Sequence, residues 1–191
     1  MQKFPHGTNP TIMDQDLTRY LNDHLAGSSG ALLLIQELAD NHGATEAREF
    51  FLQLKEKVEA DRSLLSDLLE RIGQNPSALL QVAGGIAARI AGIKLMWEQV
   101  EPGKLGLFEA LEMLALGVQG KRLLWVALRE ISVWFPEWNG IDFAELERQA
   151  ILQRDDIEYC RIQAAKEILA DAQRRSGNPD EADKTPQPTA P

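Results

Sequence analysis

Apolar side chains recur along this chain at alternating three- and four-residue intervals, the spacing that lines one face of an α-helix. Leu17, Leu21, Leu25, Ser28, Leu32 and Ile35 share such a face and predict a first helix from about Asp14 to Asn41. Phe51, Leu54, Val58, Asp61, Leu65, Leu68 and Ile72 form a similar seam and predict a second, from about Thr45 to Ile72. Gly43 and Gly73 stand where such helices stop. Asn75-Pro76 then opens a third helix, Ser77 to Val100, rich in alanine and glycine. Each interior glycine costs about 1 kcal/mol against alanine, a cost that close backbone packing offsets. After the Glu101-Pro102-Gly103 break, Leu105 to Ser132 reads as a fourth helix, apolar around most of its circumference. The Phe135 to Gly140 segment is a turn, and Asp142 caps a fifth helix from Phe143 to about Arg175. No segment alternates with a period of two, so the chain is predicted to be all-α with five long helices.

Residues 1–13 read as a flexible arm, residues 14–175 as a single helical domain, and residues 176–191 as a disordered tail. The tail carries four prolines and no large apolar residue, so it has nothing with which to build a core.

The chain also repeats itself. Gly27-Ser28-Ser29-Gly30-Ala31-Leu32-Leu33-Leu34 and Gly117-Val118-Gln119-Gly120-Lys121-Arg122-Leu123-Leu124 both read G-x-x-G-x-x-L-L. Each copy is followed by an E-x-x-R segment, Glu59 to Arg62 and Glu158 to Arg161. Two helical hairpins, each a G-x-x-G helix followed by an E-x-x-R helix, account for this order. In pattern, the stretch from about Asp14 to Arg175 resembles the ferritin-like superfamily, of the rubrerythrin and ferritin type. That resemblance implies a bundle of two antiparallel hairpins, with the third helix as the connection between them.

It also implies where a metal centre would lie. Metal-binding bundles of this kind take one glutamate from each of two helices and a Glu-x-x-His motif from each of the other two. Here Ser28 and Val118 stand at the single-glutamate positions. Glu59 and Glu158 keep the motif glutamates, but Arg62 and Arg161 replace the histidines. A guanidinium has no lone pair to offer a cation, so a degenerate site with no cofactor is expected. Ser28, Asp61, Arg62, Arg122, Glu59, Glu158 and Arg161 become candidates for a central polar cluster at the former metal level. Asp61 lies on an apolar seam, and a buried carboxylate needs a partner; Arg161 and Arg122 are the expected ones. The alternative places all these groups in solvent at a loosened bundle edge.

Composition narrows the function classes. A net charge of -9 does not favour nucleic acid or an anionic membrane surface. No run of eighteen apolar residues suggests a membrane span, and the N-terminus lacks the apolar stretch of a secretory signal. The lone Cys160 forms no intramolecular disulfide, which fits a cytoplasmic location. Glu109 and Glu112 read as a solvated flank, His24 as a hydrogen-bonded core histidine, and Trp134 to Trp138 as an aromatic plug at one bundle end. No phosphate loop, zinc spacing or nucleophile elbow is present. The expected function is a non-catalytic interaction or structural module, a homodimer with a possible protein partner. Two alternatives stand beside it: a di-iron or di-manganese oxidoreductase or iron store with unrecognised ligands, and a small-molecule binder using a core pocket lined by Ser28, His24, Asp61 and arginines.

Overall fold

The computed structural model describes residues 10–41, 45–74 and 104–170. Within them lie four long helices: α1 Pro10–Asn41, α2 Glu46–Arg71, α3 Lys104–Ile131 and α4 Phe143–Ile168. The predicted third helix, the predicted disordered tail and most of the N-terminal arm lie outside the described residues. Two boundaries differ from expectation. Helix α1 begins at Pro10 rather than Asp14, because proline at a first helical position has no amide to lose. Helix α4 ends at Ile168 rather than near Arg175, with the Leu169 amide donating to the Ala165 carbonyl.

The helix ends follow local chemistry. Thr45 caps α2 by accepting the Arg48 amide, and Asp142 caps α4 by accepting the Glu145 amide at 2.9 Å. At the far end of α2, Gly73 takes φ +75°, and the Gly73 and Gln74 amides reach back to the Glu70 and Leu69 carbonyls. These paired bonds satisfy carbonyls that the helix would otherwise leave open, and the left-handed backbone favours glycine. Gly140, at φ +88°, similarly closes the turn in which the Ile141 amide donates to the Trp138 carbonyl.

Cross-helix contacts fix the directions. Along α1 and α2, Arg48 meets Ala39, Lys55 meets Gln36, and Arg62 meets Leu25. One number rises as the other falls, so this hairpin is antiparallel. Along α3 and α4, Arg122 meets Glu147, Arg154 meets Gln119, and Arg161 meets Glu112, which is again antiparallel. Between the hairpins Asp61 meets Lys121, while Leu68 meets Trp138 beyond the end of α3. Those numbers rise together, so α2 and α3 point the same way. The four directions are therefore up, down, down, up, and Gln74 and Lys104 sit at opposite ends of the four described helices.

All four helices contribute to one core. Leu21, Leu25 and Ile35 of α1, Leu68 of α2, Leu111, Trp125 and Leu128 of α3, and Ile157 of α4 are almost completely buried. Each such side chain contributes roughly 1.5–3 kcal/mol by leaving water. The chain between α3 and α4 makes two short 3-10 turns, Ser132–Trp134 and Pro136–Trp138. They fold Trp138 into the core, stacked on Phe135 with ring centroids 4.3 Å apart and packed edge-on to Phe143. The Trp138 indole N–H donates to the Leu68 carbonyl at 2.9 Å, so the plug also ties the two hairpins. Trp134 is largely exposed and does not share this role.

Candidate functional site

Asp61 lies mid-way along α2, on the seam that faces the other hairpin. Its carboxylate accepts from the ammonium of Lys121 on α3, and the same ammonium donates to the Gln153 side-chain oxygen on α4. Three helices thus converge on one Lys121 nitrogen. The Asp61 and Lys121 side chains are only 12% and 13% exposed, and Gln153 is buried. Removal from water holds the Lys121 ammonium below its ordinary pKa; Asp61 acts against that shift, and Lys57 adds to it. Val118, about one turn before Lys121 on the same helix, is buried in the hydrophobic core.

The expected partners of Asp61 were Arg161 and Arg122, and both expectations are corrected. Arg161 bonds Glu158 through two nitrogens at 2.7 Å and Glu112 at 3.2 Å, along the outer flank between α3 and α4. Its guanidinium also lies over the Phe108 ring. Arg122 and Arg129 share the carboxylate of Glu147, each at 2.8 Å. The physical reason is angular: one residue along a helix turns the side chain by about 100°, which carries Lys121 to the core side and Arg122 to the α3–α4 seam.

Arg62 performs a separate task. Its Nη1 donates to the Leu25 carbonyl at 2.7 Å, to Ser28 at 2.9 Å and to Ser29 at 2.6 Å. Ser28 in turn donates to the Leu25 carbonyl at 2.7 Å. A serine at position 28 therefore receives an arginine from α2. Glu59 is exposed beside Lys55, and Glu158 is held by Arg161 on the flank. Apart from the exposed Glu59, the candidate residues consequently divide into three groups: Asp61 in the interior, Arg62 with Ser28 within the first hairpin, and Arg122, Glu158 and Arg161 on the second hairpin's flank.

Lys121 and Gln153, the residues that complete the interior group, were not singled out from the sequence. The available signal was the position of Lys121 on the same face as Val118 and Trp125, amid apolar neighbours. The glycine repeat has no packing explanation at three of its four positions: a methyl group at Gly27, Gly117 or Gly120 would meet nothing within 4 Å. Gly30 is buried.

Among the described residues, no three His, Cys, Asp or Glu side chains gather as a cation site. His24 packs edge-on against Tyr20, and burial lowers its pKa, with Asp23 partly opposing. Burial pushes the Cys160 thiol up, reinforced by Asp156. Two depressions on the described surface, one around Arg129, Ser132 and Asp142 and one around Thr45, Arg48 and Leu52, are open and shallow. Neither is lined by Asp61 or Lys121. No helix among the described residues is long and apolar enough to cross a membrane.

Compared with protein-family models, curated proteins and solved structures, the chain matches none of them.

Proposed function

We propose that this chain is a ferritin-like helical bundle in which a side-chain ammonium stands in for a metal centre, and that it acts as a non-catalytic interaction or structural module. The observation that carries this reading is the Lys121 nitrogen, held between Asp61 and Gln153 where three helices meet. Metal-binding ferritin-like bundles hold their ions among side chains that project inward from facing helices, and in this reading Lys121 brings a positive charge to the corresponding interior on the protein's own covalent structure. A second cation beside a buried ammonium would be repelled, and one carboxylate cannot balance a pair of divalent ions. Serine, valine and two arginines at the family's ligand positions point the same way. Arg62 in particular binds a backbone carbonyl and two hydroxyls, which makes it a cross-link between helices.

The test is elemental analysis of the purified protein after exposure to iron, manganese and zinc. Below about 0.1 equivalent of each metal is expected, because the donor set offers no charge-balanced cage. About two equivalents of iron or manganese would overturn the reading in favour of a di-metal oxidoreductase or iron store. A metal-free protein that turned over a small substrate would overturn its non-catalytic part.

A further inference from the structure

Helix α4 and its C-cap residue Leu169 carry an apolar stripe on the side opposite the helix's core face. Leu152, Tyr159 and Leu169 are 50%, 68% and 60% exposed, and Ile162 lies on the same line. Asp155 and Lys166 occupy the two remaining positions, and both are exposed. The six residues follow one another at intervals of three, four, three, four and three, which is the spacing of a helix–helix seam. The core side of the same helix is formed by Phe143, Ala150, Gln153, Ile157 and Ala164, roughly half a turn away.

The order of residues in the stripe is a mirror of itself. About a point midway between Cys160 and Arg161, Leu152 reflects onto Leu169, Asp155 onto Lys166, and Tyr159 onto Ile162. In an antiparallel pair of α4 helices, a two-fold axis through that point would set leucine against leucine, tyrosine against isoleucine, and carboxylate against ammonium. Each charge pair would occur twice, as two-fold symmetry requires. Within one copy Asp155 is met from the side by its neighbour Arg154, an exposed contact that leaves the carboxylate accessible.

We propose that this face of α4 is the surface on which a second copy of the chain docks, antiparallel and two-fold symmetric, in the register set by Asp155 and Lys166. The stripe is about 27 Å long at 1.5 Å per residue, a length over which two helices bury four apolar side chains from each copy. The two charge pairs choose the register: a shift by one heptad would set apolar groups against charges. The surface lies across α4 from Gln153, so the dimer and the metal-free interior stand or fall by different measurements.

The experiment is the solution mass of the full chain by light scattering or sedimentation at about 100 µM, a concentration that populates even a weak dimer. The wild type is expected at twice the 21.3 kDa of one chain. Asp155→Lys and Lys166→Asp should each run at the single-chain mass with unchanged helical circular dichroism, because like charges then face each other twice. An equimolar mixture of these two variants should return to twice the mass, since the introduced lysine of one then faces the introduced aspartate of the other. A wild type at the single-chain mass would overturn the proposal. So would a dimer that both single variants leave intact, which would place the interface elsewhere, or two folded monomeric variants that fail to associate when mixed.

Discussion

Replacing Asp61 with asparagine keeps the size of the side chain and removes its charge. The Lys121 ammonium, 13% exposed, would then face the Gln153 oxygen and a neutral amide. Removing one member of a fully buried pair costs about 3–5 kcal/mol. Here the pair retains a little water contact and Gln153 still accepts, so about 2–4 kcal/mol is the fitting range. For a chain of this size each kcal/mol moves the melting temperature by about 2–4 °C, so a loss of at least about 4 °C is expected. Replacing both partners, as Asp61→Leu with Lys121→Met, removes the unpaired charge altogether and should recover most of that loss. Thermal unfolding followed by circular dichroism at pH 7 on Asp61→Leu, Lys121→Met and the double variant gives the coupling directly. If Asp61→Asn melted within about 1 °C of the wild type, the polar tie would be a surface ornament and the reasoning from burial would fail. A double variant no more stable than the worse single variant would also refute it.

Other consequences can be measured separately. Because the folded-state pKa of Lys121 is lowered, the unfolded chain holds a proton that the folded chain has released between that value and about 10.4. Stability relative to Lys121→Met should therefore rise with pH across that alkaline window, and a falling difference in urea titrations would contradict the burial of the ammonium. His24 has a lowered folded-state pKa, so its contribution is fully present above the unfolded value of about 6.5 and is lost as pH falls through the folded value. His24→Gln should flatten the stability profile as pH falls below about 6.5, and an unchanged profile would count against burial as the cause. Arg62→Ala removes three bonds to α1 and should cost about 1.5–3 kcal/mol in urea unfolding, whereas Glu59→Ala on the exposed side of the same helix should cost under about 0.5 kcal/mol. Trp138→Ala opens a large cavity and orphans the indole bond to Leu68, for an expected loss of about 3–5 kcal/mol.

The periodic positions of the sequence determined the helices themselves. Phe51, Leu54, Val58, Leu65 and Leu68 were legible as one buried face because the 3.6-residue turn leaves a solvated helix few other ways to hide them. Gly73 and Asp142 were legible as a stop and a cap because each answers a need of the local backbone, without help from distant residues. Asp61 stood out as a carboxylate on an apolar seam, and its need for a cation followed from the cost of burying charge. Which cation answered it was a matter of tertiary structure. Lys121 and Arg122 are neighbours in sequence, separated by about 100° around α3, and only the rotation of that helix against α2 and α4 sends the lysine inward and the arginine to Glu147. The fate of the two E-x-x-R segments was decided the same way. Arg62 found a carbonyl and two hydroxyls on α1, whereas Arg161 found two glutamates and a phenyl ring on the flank, so identical spacing led to different chemistry. Spacing fixes the angle between side chains on one helix, but the partner across the gap depends on how the helices are rotated and staggered, which packing of the whole core determines.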